Sequence, residues 1–125
     1  GQVYGVPVEP IGELDPRDEA FGEAAEFAPG MKAELGYLPV RLLGTHPLLD
    51  GLGDAPIFRQ AHTWELKALP DGFTNLASTD VSEIQLMVDD EHRIVGTQFH
   101  PEYATEEHPA GDILIRNFME WAGLI

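Results

Sequence analysis

Cysteine is absent from this chain of 125 residues, and basic residues are scarce, with 7 Lys and Arg against 22 Asp and Glu. Without cysteine the chain offers no disulfide, no thiolate metal ligand and no thiol nucleophile of its own. A formal charge of -15 argues against nucleic-acid partners and anionic membrane surfaces, because both attract clustered cations. No apolar run approaches the roughly 20 residues of a membrane helix. We therefore expect a cytoplasmic protein with no nucleic-acid or membrane partner.

The hydrophobic fraction of 43% is sufficient for a core, and the length predicts a single domain over residues 1–125. Acidic residues are concentrated near the start of the chain, and we interpret residues 9–32 as an acidic insertion. Within it, Asp15-Pro16 predicts the start of a short helix that ends at Pro29-Gly30. A solvated acidic loop is the alternative.

From residue 34 onward the pattern is mostly that of short strands separated by turns. The segments 84–88 and 93–99 flank a polar turn and predict a hairpin. At the end of the chain, apolar residues recur at helical spacing, and we expect Asp112 to cap that helix and Gly123 to end it. Further strands are predicted over residues 37–43, 57–62 and 73–78, and the buried helix stripe consists of Leu114, Phe118, Trp121 and Ile125.

The densest run of chemically active residues is 99–103, Phe-His-Pro-Glu-Tyr, which follows an apolar strand. Side chains two apart on an extended strand share a face, so His100 and Glu102 are expected on the same side. A histidine oriented by a carboxylate is the base half of a nucleophile, base and orienter arrangement. A polar strand end without chemistry is one alternative. A metal site is another, with the ligand types His100, Glu102, Glu106, Glu107 and His108.

His62 and Thr63 mark a second place of interest, at the end of a predicted strand and next to Trp64. One interpretation is a substrate-contacting edge beside His100. The other is a partly buried histidine that packs beside the tryptophan.

Several segments line up in order with those of the class I glutamine amidotransferases. Residues 96–102, Gly-Thr-Gln-Phe-His-Pro-Glu, resemble the strand and His-Pro-Glu signature of that family. The resemblance covers nearly the whole chain apart from residues 9–32. The other similar segments are Gly1-Gln2-Val3, Glu34-Leu35-Gly36-Tyr37-Leu38-Pro39-Val40, His46-Pro47-Leu48-Leu49-Asp50-Gly51-Leu52, Gln60-Ala61-His62-Thr63-Trp64-Glu65, Leu69-Pro70-Asp71-Gly72-Phe73 and Ala77-Ser78-Thr79-Asp80.

The resemblance implies an α/β fold, the flavodoxin-like domain of that family, of which this chain carries mixed or antiparallel strands and a C-terminal helix. It implies that His100 is the general base and Glu102 its orienting carboxylate when a cysteine thiolate attacks the side-chain amide of glutamine. Ammonia then passes to a synthase partner, and water releases glutamate. His62 and Thr63 match a stretch near the glutamine pocket and are the implied substrate-binding residues. No cofactor is implied.

The nucleophile of the family lies in a Gly-x-Cys-x-Gly elbow that precedes the stretch resembled by residues 1–3, whereas this chain has no cysteine. We therefore expect the C-terminal portion of the domain, inactive alone and completed by an N-terminal portion. A non-catalytic amidotransferase-like module that binds or regulates a partner is the alternative. Because part of the central sheet would be missing, we also expect an exposed sheet edge. Such an edge favours a homodimer, pairing with the missing portion, or marginal stability.

Overall fold

Antiparallel strand pairs dominate the computed structural model, which describes residues 2–3, 6–13 and 32–125. The strands are β1 (Gln2–Val3), β2 (Val6–Pro10), β3 (Glu34–Pro39), β4 (Arg41–Leu42), β5 (Ile57–His62), β6 (Trp64–Leu66), β7 (Thr74–Ser78), β8 (Leu86–Asp89) and β9 (Ile94–Thr97). Within the described residues they form three sheets, ordered β1-β2-β6, β3-β5 and β4-β7-β8-β9. A C-terminal helix, Ala110–Trp121, follows. The predicted combination of antiparallel strands and a C-terminal helix is confirmed.

The β3/β5 sheet is a two-stranded antiparallel pair in which Tyr37 lies opposite Arg59. β5 has the bounds predicted from the sequence, residues 57–62. Successive side chains of a strand point to opposite faces, so the buried Phe58 lies on the face away from Arg59. The Phe58 ring stacks on that of Phe99, with centroids 3.9 Å apart and planes 13° apart. This stack joins β5 to the segment that follows β9.

The four-stranded sheet contains the predicted hairpin, because β8 and β9 pair antiparallel with Leu86 opposite Thr97. The strand predicted over residues 37–43 is divided into β3 and β4, since Val40 between them turns into the core and is 2% exposed. The core therefore connects β5, the four-stranded sheet and the C-terminal helix. It consists of Val40, Leu48, Leu52, Phe58, Leu76, Ala77, Leu86, Val88, Phe99, Ala110 and Leu114.

The C-terminal helix presents the predicted apolar stripe to this core. Leu114 is buried, and Phe118 and Trp121 pack against the core. Gly123 adopts a φ of 77°, a left-handed conformation that ends helices and that glycine tolerates. In the part of the chain that the structure describes, no helix is long and apolar enough to cross a membrane.

Two details of the helix prediction are wrong. Asp112 lies within the first helical turn and makes no capping hydrogen bond, because Pro109 occupies the N-cap position. Ile125 is exposed, because the turn at Gly123 directs the chain away before the stripe reaches it. The helix is thus shorter at its end than the periodicity predicts.

The acidic insertion predicted over residues 9–32 begins within β2, whose Glu9 and Pro10 pair with β6. The N–H of Lys32 donates to the carbonyl of Gly12 at 2.9 Å, and the N–H of Ile11 donates to the carbonyl of Thr63 at 2.9 Å. Gly12 and Lys32, which flank residues 13–31 of the predicted insertion, therefore meet beside the connection between β5 and β6. Residues 14–31, and with them most of the insertion and its predicted short helix, lie outside the described residues.

Candidate active site

After β9 the chain crosses from the four-stranded sheet to the β3/β5 sheet. The N–H of Gln98 donates to the carbonyl of Gln85 at 2.9 Å, and the N–H of His100 donates to the carbonyl of Arg59 at 2.8 Å. Between these two residues Phe99 is buried, with 2% of its surface exposed. Two backbone hydrogen bonds and a buried ring therefore fix the chain at the point where His100 emerges.

His100 and Glu102 form a hydrogen-bonded pair, with Nδ1 of the histidine 2.7 Å from Oε1 of the carboxylate. The predicted same-side arrangement is present, but a turn produces it instead of a strand. β9 ends at Thr97, and a 3₁₀ turn spans Pro101–Tyr103 with proline in its first position. Proline has no N–H with which to continue a strand ladder, so the chain bends and brings the carboxylate back to the ring.

This contact determines which tautomer the neutral His100 ring adopts. An ionised carboxylate only accepts hydrogen bonds, so Nδ1 donates, and in the neutral ring Nε2 is the nitrogen with the lone pair. The pair faces solvent, since the His100 and Glu102 side chains are 40% and 55% exposed. The backbone N–H of Glu102, and then the hydrogen bond from His100, lower the pKa of the Glu102 carboxyl below its ordinary value. The carboxyl is therefore ionised near neutral pH and accepts the hydrogen bond from Nδ1 of His100.

His62 lies on the face of β5 opposite to the one that meets His100, and its side chain is 9% exposed. Its Nε2 lies 2.9 Å from Oε1 of Glu34, and its Nδ1 lies 2.7 Å from the carbonyl of Trp64. Both ring nitrogens thus have partners, and the structure does not bring this ring to His100. The carbonyl of the adjacent Thr63 accepts a hydrogen bond from the backbone N–H of Ile11. Substrate contact at His62 and Thr63 stays a prediction.

A buried hydrogen-bond network, which sequence reasoning missed, extends from His62. Nε2 of Gln85 donates to Oε1 of Glu34 at 2.8 Å, and Nε2 of Gln60 donates to Oε1 of Gln85 at 2.9 Å. None of Glu34, Gln60 and Gln85 is more than 3% exposed. The alternation within β5 indicates such a network, because Gln60 and His62 occupy the same face as the buried Phe58. The network joins the β3/β5 sheet to the residue that precedes β8.

Replacing Gln85 by Met keeps the side-chain length but leaves Glu34 and Gln60 each short of a buried hydrogen bond. We expect the free energy of unfolding to fall by about 2–3 kcal/mol, because an unsatisfied buried polar group typically costs about 1–3 kcal/mol. Urea unfolding of the chain measures this change. Gln98→Met is the matched control, since no side-chain hydrogen bond of Gln98 occurs within the described residues. Equal unfolding free energies for the two variants would contradict the importance of the network.

The alternative metal site is not assembled within the described residues. His108 stacks on Tyr37, with ring centroids 4.7 Å apart. Among residues 6–13 and 32–125, no three or more His, Asp or Glu side chains are grouped so that they could hold a metal ion. The structure thus brings together His100 and Glu102 as a pair and does not add the other three side chains of the proposed ligand set.

Contacts between a histidine and a carboxylate also occur away from this pair. Nε2 of His46 lies 2.7 Å from Oδ1 of Asp90, while its Nδ1 accepts a backbone N–H, so both nitrogens are engaged. Nδ1 of His92 lies 2.7 Å from Oδ2 of Asp89, and this ring is 63% exposed at the turn between β8 and β9. Such a contact does not by itself identify an active site. What distinguishes His100 is its position between two sheets.

Comparisons with known proteins identify the family and the fold. A family model described as glutamine amidotransferase class-I matches residues 19–121. The glutamine-hydrolysing GMP synthase of Phenylobacterium zucineum is 38% identical over 93 residues, which are 72% of this chain and 18% of that protein. Component 2 of the pyocyanine-specific anthranilate synthase of Pseudomonas aeruginosa is 37% identical over 106 residues, 85% of this chain and 48% of that protein. The chain thus spans about half the length of these curated relatives, or less.

A crystal structure described as a GMP synthase subunit from Thermoplasma acidophilum superimposes with a TM-score of 0.70. The match covers 97% of this chain and 50% of that one, at 24% sequence identity. At this identity the likeness shows the fold, and the predicted fold class is confirmed.

Proposed function

This chain belongs to the class I glutamine amidotransferases, and on that premise we propose that it supplies the base and the orienting carboxylate for hydrolysis of the glutamine side-chain amide. His100 is the base and Glu102 the orienter, as in the His-Pro-Glu motif that they match. The observation that carries the proposal is the 2.7 Å contact between Nδ1 of His100 and Oε1 of Glu102. It leaves Nε2 as the nitrogen that exchanges protons.

In the proposed reaction Nε2 of His100 takes the proton of a cysteine thiol, and the thiolate attacks the amide carbon of glutamine. The imidazolium returns that proton to the departing nitrogen, so the C–N bond breaks and ammonia leaves an acyl-thioester. Nε2 then takes a proton from water, whose oxygen attacks the thioester carbon. Glutamate is released, and the proton returns to the sulfur. Glu102 keeps the ring oriented and stabilises the imidazolium in both halves.

The thiol is the part of this reaction that the 125 residues do not contain. We propose that an N-terminal portion of the domain supplies it and that the chain is inactive alone. The position of β9 supports this arrangement, because among the described residues β9 is an edge strand of its sheet and leads directly to His100. A strand of the complementary portion, added at that edge, would bring its thiol near the histidine. A homodimer through the same edge is the competing prediction.

We further propose that the released ammonia is used by a synthase partner and that no cofactor takes part in the hydrolysis. The support is that the relatives named above are a GMP synthase and a component of an anthranilate synthase. Within the chain, the edge at His62 and Thr63 is the proposed contact for glutamine. Residues 1–125 are proposed to form a single partial domain, in which residues 9–32 are an acidic insertion.

The proposal is tested by mixing the purified chain with a cysteine-containing N-terminal portion of a class I amidotransferase domain. We expect no ammonia from glutamine with the chain alone and measurable ammonia from the mixture, because only the mixture contains both nucleophile and base. A complementary portion with its cysteine replaced by alanine is the control. Full activity of the chain alone would contradict the proposal. Binding of the complementary portion without ammonia release would favour the non-catalytic module.

A further inference from the structure

The turn that carries Glu102 is held by few contacts of its own. It is a single 3₁₀ turn, closed by the N–H of Tyr103, which donates to the carbonyl of His100 at 3.3 Å. The Glu102 side chain is 55% exposed, and ion pairs in solvent contribute little free energy by themselves. The geometry of the His100–Glu102 pair therefore depends on contacts that hold the turn from outside.

Tyr37 of β3 holds the turn from one side. Its hydroxyl donates to the carbonyl of Tyr103 at 2.9 Å, across 66 positions of sequence. The ring itself is restrained, because His108 stacks on it with planes 23° apart and the guanidinium of Arg59 lies 5.6 Å from its centroid. Tyr37 pairs with Arg59, and Arg59 pairs with His100, so the three side chains form a row on one face of the β3/β5 sheet. Tyr37 thus connects the strands beside His100 to the turn that carries Glu102.

Gly111 of the C-terminal helix supports the turn from another side. A Cβ atom at this position would lie 2.8 Å from the carbonyl carbon of Pro101 and closer still to its oxygen. The backbone of the turn therefore rests directly on the helix. With Pro101 held by the helix and Tyr103 held by Tyr37, Glu102 lies between two fixed points.

We infer that Tyr37 is a positioning residue, which sets the place of the Glu102 carboxylate against Nδ1 of His100 by holding the carbonyl of Tyr103. An effect of Tyr37 on catalysis rests on the proposed function, whereas its effect on the position of Glu102 does not. Tyr37→Phe removes the hydroxyl and keeps the ring that contacts His108 and Arg59. The substitution therefore isolates the hydrogen bond.

The test is NMR on the isotope-labelled 125-residue chain, which needs no enzymatic activity. Nitrogen shifts of His100 report the fraction of rings that carry the proton on Nδ1, and the carboxyl carbon of Glu102 reports its titration. In Tyr37→Phe we expect a smaller Nδ1–H fraction and a pKa of Glu102 that rises toward its ordinary value. Tyr103→Phe is the matched control, because only the backbone carbonyl of Tyr103 receives the hydrogen bond from Tyr37.

Unchanged tautomer and titration in Tyr37→Phe would overturn the inference, and so would equal changes in Tyr103→Phe. A second variant, His108→Ala, removes the stacking contact with Tyr37 and should shift both signals in the same direction by less. If Tyr37→Phe does not fold, the His108→Ala variant tests the positioning role of Tyr37 in its place. In the reconstituted enzyme, Tyr37→Phe should lower kcat a few-fold to about tenfold with little change in KM, the equivalent of one hydrogen bond. If the proposed function is wrong, this kinetic effect is missing while the NMR result is unaffected.

Discussion

His100→Ala is expected to lower kcat for glutamine hydrolysis by the reconstituted enzyme about 100-fold or more. A positioned general acid and base typically contributes about 10²- to 10⁴-fold, and this histidine acts in both halves of the proposed reaction. KM should change little, because in the proposed reaction the imidazole exchanges protons and the glutamine contact is assigned to His62 and Thr63. Ammonia release measured against glutamine concentration gives both parameters.

His92→Ala is the matched control for this experiment. Like His100, His92 is exposed and contacts a carboxylate through Nδ1 at 2.7 Å, but it lies at the turn between β8 and β9. Its replacement should leave kcat within about twofold of the parent, as is usual for surface positions away from a site. Undiminished activity of His100→Ala, or an equal loss in both variants, would refute the assignment of His100 as the base.

Gly111→Ala is expected to destabilise the chain by about 2–3 kcal/mol, in the range of overpacking substitutions. Helix propensity alone predicts the opposite sign, since alanine is favoured over glycine within a helix by about 1 kcal/mol. The contact with Pro101 decides the outcome, because a backbone carbonyl cannot rotate away from the new methyl group as a side chain can. Urea unfolding gives the stability, and the reconstituted assay should show a loss of activity as the turn moves.

Gly96→Ala separates this effect from a general cost of adding a methyl group. There the new Cβ would lie 2.6 Å from Cε of Met87, the far end of a flexible side chain that can move aside. We expect a cost below about 1 kcal/mol in the free energy of unfolding. A Gly111→Ala chain as stable as the parent would show that the helix and the turn are not in contact as described.

Local sequence patterns predicted those parts of the fold in which one periodicity dominates. The bounds of β5 and the presence of the β8–β9 hairpin follow from local apolar patterns and a polar turn, and the helix stripe follows from spacings of three and four. The hairpin strands themselves are Leu86–Asp89 and Ile94–Thr97, shorter overall than the predicted segments 84–88 and 93–99. The division of residues 37–43 at Val40 could not be predicted, because tertiary packing decides it. The exposure of Ile125 depends on the chain direction after Gly123, which spacing alone does not encode.

For the candidate site, the sequence predicted the contact between His100 and Glu102 but not its cause. The two-residue spacing predicts a shared face of a strand, whereas Pro101 starts a turn that gives the same result. The place of His62 was harder to predict, because its partner Glu34 lies 28 positions away and is brought opposite it only by strand register. Contacts between strands that are distant in sequence are set by register and packing, and local propensity carries no information about them.

Residues 98–100 cross from one sheet to the other. The orientation of the His100 imidazole therefore depends on how the two sheets are oriented relative to each other. Gln98 is bound to one sheet and His100 to the other, so a rotation of either sheet would tilt the ring. Catalytic groups need to be held within about 0.5 Å and 10–20° of their working geometry. The buried contacts of Phe99 and Gln85 oppose such rotation. The angular tolerance of the proposed base is therefore set in the interior of the protein, and substitutions far from solvent should affect turnover before they affect substrate binding.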